Sequence, residues 1–292
     1  MPKYALEGRL LENETGRPIT SSQSGFQRGG DEGDLFRGTA EYYAVYRRPY
    51  PAEVVQYCVR TFGLNGTGRL LDAGCGTGQA FRVFAKYFAS VFAFDRDREM
   101  VRLALKSVRH ERLDNVVVYQ TRAEDLQRTI GPIRLAIFAA SFHWMDRQRV
   151  AEVVYDLLEP GGHIAIFAPS TLYDGSGPLE TAVRQTVEDW LGRERRAGDG
   201  VYVADERHAE ALAKTRFRDS TTVNIHVEEL WTPDEIVGWL YSTSFANKTL
   251  LQGRAADFEA DLRARLRAID PCGNFARTVE YTVISSQRPR TK

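Results

Sequence analysis

The sequence predicts an α/β protein: a doubly wound, mostly parallel sheet with a helical cap over its carboxyl edge. Three observations predict it. Short apolar runs alternate with helical patterns between residues 69 and 169. A turn with glycines at Gly74, Gly76 and Gly78 follows the first of these runs. An acid, Asp95, ends the second.

The strand candidates are 69–72, 91–95, 116–120, 134–140 and 163–169. Each is short, mostly apolar and partly β-branched or aromatic, as strands covered on both faces require. Between them Ala80, Phe81, Phe84, Ala85 and Phe88 recur at helical spacing. So do Val150, Val153, Val154, Leu157 and Leu158, which end at Pro160-Gly161-Gly162. Strands alternating with helices imply parallel neighbours joined by crossovers. After 170 the rhythm changes. Helices are expected over 179–191 and 205–215, and a strand over 222–227. Thr232-Pro233-Asp234-Glu235 forms a capping box that opens a helix to about Ser244. A further helix over 256–269 and a strand over 278–285 follow. The organisation expected is a flexible arm over 1–35, a ligand-binding core over 36–169, and a region over 170–292 that adds helices and the last strands.

Composition narrows the function. The 292 residues include 39 Lys+Arg and 39 Asp+Glu, a balance that argues against a phosphate backbone as main partner. Cys58, Cys75 and Cys272 are far apart, and the histidines (His110, His143, His163, His208, His226) show no ligand spacing, so neither a metal site nor a disulfide framework is expected. The N-terminal residues lack the apolar stretch of a signal peptide, and no run of about 18 apolar residues spans a membrane. A cytoplasmic enzyme is expected.

The chemistry concentrates in Leu70-Leu71-Asp72-Ala73-Gly74-Cys75-Gly76-Thr77-Gly78-Gln79. Side chains at the glycines would hold the backbone away from a ligand, and the helix that follows offers unpaired N–H groups. A dinucleotide fingerprint needs a third glycine where Gln79 stands, and a phosphate-binding loop needs a Lys that is missing. Asp95 lies 21 residues beyond Gly74, where a carboxylate can accept both hydrogen bonds of a ribose diol. A nicotinamide oxidoreductase and a non-catalytic cofactor-binding module remain the alternatives from other classes.

The G-x-G-x-G spacing, with Asp72 at the acidic position before it, resembles class I S-adenosylmethionine-dependent methyltransferases. The resemblance covers about 36–169 and is similar to the branch of ubiquinone-type, trans-aconitate and natural-product small-molecule enzymes. It implies a Rossmann-like sheet of seven strands with the last antiparallel. It also implies S-adenosylmethionine as cofactor and S-adenosylhomocysteine as its product. The cofactor residues implied are Asp72, Gly74, Cys75, Gly76 and Gly78 at the turn, with Asp95, Arg96 and Met100 after the second strand. Ala123 and Glu124 stand where the family places an Ala-Glu pair beside adenine, and Arg122 replaces the acid usually found before them. Ser141 and Phe142 follow the fourth strand. Upstream, the N-terminal helix is implied to close over the cofactor, with Tyr43 and Tyr46 near the methyl donor and Arg47 on the methionine carboxylate.

Methyl transfer to an amine or hydroxyl can require removal of a proton, and His143 is the candidate base. Trp144, Tyr173 and Tyr202 are candidate acceptor contacts. The acids of 170–210 exceed the bases there, which suits a small polar acceptor of cationic character such as an amino sugar, N-methylated in antibiotic assembly. O-methylation of a sugar or phenol is the alternative, and a solvated helical face explains the same acids. Nucleic-acid methylation is disfavoured because Ala139-Ala140-Ser141-Phe142-His143-Trp144 lacks the Pro-Pro-aromatic run that grips an exocyclic amine.

Overall fold

The computed structural model describes residues 36–127, 130–194, 196–197, 200–201 and 207–290. The expected arm over 1–35 and the candidate contact Tyr202 lie outside the described residues.

Two helices, α1 (Ala40–Tyr46) and α2 (Ala52–Thr61), precede the sheet. Then follow β1 (Arg69–Ala73), α3 (Phe81–Phe84), β2 (Ser90–Asp95), α4 (Arg98–Glu111), β3 (Val116–Gln120) and β4 (Ile133–Ala139). Next are α5 (Arg147–Leu157), β5 (Leu158–Pro169), α6 (Pro178–Leu191) and a short pair, β6 (Arg196–Ala197) and β7 (Gly200–Val201). The chain ends with α7 (His208–Ala213), β8 (Thr221–Trp231), α8 (Pro233–Tyr241), α9 (Ala255–Ile269) and β9 (Phe275–Gln287).

Seven strands form one sheet in the order β3-β2-β1-β4-β5-β9-β8. The pairs from β3 to β5 are parallel, and β9 runs antiparallel to both of its neighbours. Strand order reverses between β1 and β4, so a crevice opens outside their carboxyl ends. The period of two along each strand builds two cores. Leu70, Leu135 and Ile137 pack on one face with Val54, Phe81 and Phe84. Leu71, Ala136 and Phe138 pack on the other with Val150 and Val154. A third cluster joins α6, α8 and α9 through Val183, Leu240 and Phe258.

Local signals account for several element ends. The Asp97 side chain accepts from Glu99 N (2.8 Å) and Met100 N (3.1 Å), which starts α4. Thr232 and Glu235 cap α8 reciprocally. The helix expected over 80–88 is only one turn, α3, continued by a tighter turn at Ala85–Tyr87. Both last strands run longer than their apolar patterns suggest. β9 pairs with β5 only from Tyr281 to Gln287, whereas its pairing with β8 continues to Phe275↔Trp231. The β8–β9 ladder therefore projects past the carboxyl edge of the parallel strands. No helix among the described residues is long and apolar enough to cross a membrane.

Candidate active site

Buried β1 delivers the chain into a turn that only glycine fits. Gly74, Gly76 and Gly78 have φ of +70°, +55° and +104°. A Cβ on Gly74 would lie 2.6 Å from Ser141 Cβ, and one on Gly76 would press on the Tyr43 ring at 3.3 Å. The turn is tied to the end of β2. Gly74 N and Cys75 N donate to Phe94 O (2.7 and 2.9 Å), and Gly76 N donates to Asp95 Oδ2 (2.8 Å). Asp95 Oδ1 accepts from Asp97 N at 2.9 Å. Burial raises the Asp95 carboxyl above its ordinary pKa, opposed by these backbone bonds. Asp72 is fully buried, accepts from Phe81 N at 3.0 Å and leaves Oδ1 without a partner among the described residues. Burial pushes its carboxyl up to about 7.

A cavity of about 640 Å³ opens beside this turn. Gly74, Gly76, Asp95, Arg96, Met100, Ala123, Glu124 and Ser141 line it, as their sequence positions imply. Ser141 Oγ donates to Ala73 O at 2.6 Å, holding the end of β4 against the turn. Phe36, Arg37, Asp97, Thr121 and Met145 line the cavity as well. Sequence reasoning missed them, although Asp97 and Thr121 directly follow strand ends already singled out.

A second pocket of about 90 Å³ adjoins it. Tyr43, Ala139 and Ala140 line both. Ala140 has φ +54°, a conformation a side chain rarely adopts, and its N–H donates to Phe167 O at 2.9 Å. Strain of this kind persists where the surroundings enforce it and recurs at functional sites. The projecting β8–β9 ladder supplies Glu229, Trp231, Arg277, Val279 and Tyr281, and α8 supplies Trp239. Arg47 and Cys75 lie here rather than in the larger cavity.

Several expected contacts are placed elsewhere. Helical spacing puts Tyr43 and Arg47 on one face of α1, where the Arg47 guanidinium sits 5.1 Å from the Tyr43 ring centre. Tyr46 shares the other face with Tyr42 (6.2 Å between rings) and packs on Gly238 of α8, so it lines neither cavity. Arg47 Nε donates to Ser242 Oγ at 2.8 Å. Phe142 is buried edge-on against Phe138. His143 lines neither cavity, and its ring lies beside Trp144 and His208. Trp144 borders the larger cavity beside Phe36, away from the smaller pocket. Tyr173 packs on Phe245 and borders neither. Gly78 lies against Phe81, where its φ rather than ligand contact excludes a side chain. The described acids of 170–210 line neither cavity, and Glu180 and Asp189 pair with Arg277 (3.2 Å) and Arg265 (2.8 Å).

A family profile described as a methyltransferase domain matches residues 70–162, which span the glycine turn, Asp95 and β4. Residues 70–162 carry a class I S-adenosylmethionine-dependent methyltransferase domain. Relatives agree. The probable S-adenosylmethionine-dependent methyltransferase CRG1 of Saccharomyces cerevisiae is 30% identical over 129 residues, 43% of this chain and 44% of that protein. Trans-aconitate 2-methyltransferase of Deinococcus radiodurans is 28% identical over 131 residues, 44% of this chain and 49% of that protein. The matches thus take in about half the length of each relative. A solved structure from Anaeromyxobacter dehalogenans, provisionally named a type II methyltransferase, superposes with a TM-score of 0.58 at 21% identity. It covers 84% of this chain and 100% of its own, which establishes the shared fold.

The methyltransferase domain has the features its cofactor requires. The cavity is large, the turn leaves no room for Cβ atoms, and Asp95 presents a half-buried carboxylate at the end of β2.

Proposed function

We propose that the protein transfers a methyl group from S-adenosylmethionine in the larger cavity to a small polar molecule in the smaller pocket. The observation that carries this reading is the common wall of Tyr43, Ala139 and Ala140. Two compartments meeting at one place are what an in-line displacement between two bound molecules requires.

Asp95 would hold the ribose hydroxyls, Met100 and Ala123 would flank the adenine, and the Gly74–Gly76 backbone would lie along the amino-acid portion. S-adenosylmethionine, when bound, supplies an electrophilic methyl on a sulfonium. The residues of this chain bind and orient. Tyr43 closes the cavity from α1, and Ala140 fixes the rim at the end of β4. Orientation of this kind can contribute roughly 7–11 kcal/mol to the barrier reduction. Small-molecule acceptors fit this reading, as the name of the trans-aconitate relative illustrates for that protein. An amine or hydroxyl acceptor is the reading drawn from sequence, amino sugars included. Its proton would need a nearby acceptor, and His143 stands outside both lining sets.

Calorimetric binding of S-adenosylhomocysteine to the protein and to Asp95→Asn tests the cofactor half. Affinity should fall about 10- to 100-fold in the variant, the loss expected for charge-assisted hydrogen bonds. Equal affinity would remove Asp95 from the ribose, and no binding to either protein would sink the reading.

A further inference from the structure

We propose that the acceptor presents a hydroxyl group, and that Tyr281 takes its proton during transfer while passing its own to Glu229. This deepens the methyltransferase reading and rests on it. Two observations point this way: the path a proton can follow out of the smaller pocket, and the charge of the pocket wall.

The period of two along the β8–β9 ladder places Glu229 and Trp231 of β8, and Arg277, Val279 and Tyr281 of β9, on the face that walls the pocket. There Tyr281 Oη donates to Glu229 Oε1 at 2.9 Å. Both groups are shielded, with 7% of Tyr281 and 9% of the Glu229 side chain exposed. Glu229 Oε2 accepts from Trp231 Nε1 at 2.8 Å and from Arg48 Nη1 at 3.4 Å, which fixes the carboxylate. These three partners differ in one respect. An indole N–H and a guanidinium can only donate, whereas a phenol oxygen accepts one hydrogen bond while its own O–H donates another. Tyr281 is therefore the partner through which a proton can reach Glu229. Tyr43, Tyr50 and Cys75 line the pocket as well, but burial raises the pKa of each, as it does for Tyr281, so none gives up its own proton to water. No histidine lines the pocket among the described residues. A proton leaving an acceptor here ends on Glu229.

The second observation narrows the acceptor. Three guanidiniums line the pocket, those of Arg47, Arg48 and Arg277, against one carboxylate, Glu229. Glu235 and Glu180 pair with Arg48 (2.9 Å) and Arg277 (3.2 Å) from outside the lining set. An ammonium would have to enter among like charges, whereas a hydroxyl enters uncharged. A carboxylate would bring no proton for the Tyr281–Glu229 pair to accept. The pocket, about 90 Å³, holds only a few non-hydrogen atoms, so a hydroxyl seated in it shares that space with Tyr281 and with the common wall at Tyr43. An oxygen lone pair of the hydroxyl forms the bond to the methyl carbon while the carbon–sulfur bond breaks, and that bond's electron pair stays on sulfur. The O–H bond breaks with its electron pair kept on oxygen. Its proton passes to Tyr281 Oη as the Tyr281 proton moves to Glu229 Oε1. The result is a methyl ether, a neutral thioether and a neutral Glu229, which returns the proton to water.

The test uses the full chain with labelled S-adenosylmethionine and a panel of phenols, polyols, amino sugars and carboxylic acids. The expected product carries alkali-stable label on a hydroxyl oxygen. With the best such acceptor, Tyr281→Phe should lower kcat at least about 100-fold, the lower end of what a positioned proton acceptor contributes, and change KM far less. Heavy water should slow the wild type and leave Tyr281→Phe unslowed, a signature that a merely displaced pocket would not give. Glu229→Gln should repeat both effects. S-adenosylhomocysteine affinity, read by calorimetry, should stay within about twofold in each variant. Trp231 and Arg48 both lean on the Glu229 carboxylate, so if Glu229→Gln does not fold, Tyr281→Phe, which removes one hydroxyl, decides alone. Label confined to amines or to alkali-labile esters overturns the proposal, as does a panel in which no hydroxyl is methylated, or a Tyr281→Phe kcat within about tenfold of wild type. In each case retained S-adenosylhomocysteine binding leaves the methyltransferase reading standing. Loss of that binding in the wild-type chain overturns both.

Discussion

The ring of Tyr46 lies against the backbone of Gly238, where α1 meets α8, so closely that a methyl group at position 238 would overlap the ring's Cγ and Cδ atoms. Gly238→Ala is therefore expected to push α1 from its seat. Overpacking a filled site costs about 1–3 kcal/mol. Chemical denaturation should register that loss, and S-adenosylhomocysteine should bind more weakly because Tyr43 rides on the same helix. A variant as stable as wild type, with unchanged affinity, would show that the contact is slack.

Gly74→Ala places a methyl 2.6 Å from Ser141 Cβ and 2.9 Å from Met145 Cε, at a φ of +70°. Both the clash and the left-handed backbone act against it. S-adenosylhomocysteine affinity should drop at least about tenfold, roughly 1.4 kcal/mol. Titration calorimetry reads the change, and an affinity equal to wild type would mean that the turn does not touch the cofactor.

Asp72 should make stability depend on pH. Burial raises its carboxyl from an ordinary 3.8 to about 7 in the folded chain. A raised carboxyl favours the fold while protonated. Its contribution is full below 3.8 and is lost as pH rises through about 7. The shift corresponds to a few kcal/mol, at about 1.4 kcal/mol per unit. Asp72→Asn cannot ionise, so wild type should lose stability relative to the variant between pH 4 and 7, roughly that window. Urea midpoints across that range decide it, and a constant difference would refute the assignment.

His143→Ala should reduce turnover by less than about tenfold, because the ring borders neither cavity. A base acting directly on the acceptor would contribute about 10²–10⁴-fold. Single-turnover rates with an amine or hydroxyl acceptor, which must lose a proton, separate the two outcomes.

The parallel half of the fold was legible because each strand of that half announces itself locally. Leu70 and Leu71 enter opposite cores, and the glycines and Asp95 sit at fixed distances along one continuous stretch. The residues lining the larger cavity fall between Phe36 and Met145, where neighbours in sequence are neighbours at one sheet edge. The smaller pocket is different. Arg48 meets Leu230 and Glu229 across 182 and 181 residues, and Tyr281 reaches Glu229 across 52. No local spacing encodes such meetings. They depend on two strands overrunning the sheet, which a short apolar pattern does not reveal. Tyr46 could have been separated from Tyr43, since residues four apart share a helix face and Tyr42 and Arg47 mark the two sides. The partners of Asp189 and Glu180, Arg265 and Arg277, lie far along the chain, so no local spacing announces them.

Tyr43 belongs to both compartments but to a single short helix, tied to α8 by Arg47 and Ser242. Lifting that helix would uncover donor and acceptor together. In the proposed reaction refilling would then be one event: the demethylated cofactor and the methylated product would depart by a common exit, the timing of each bound to the other.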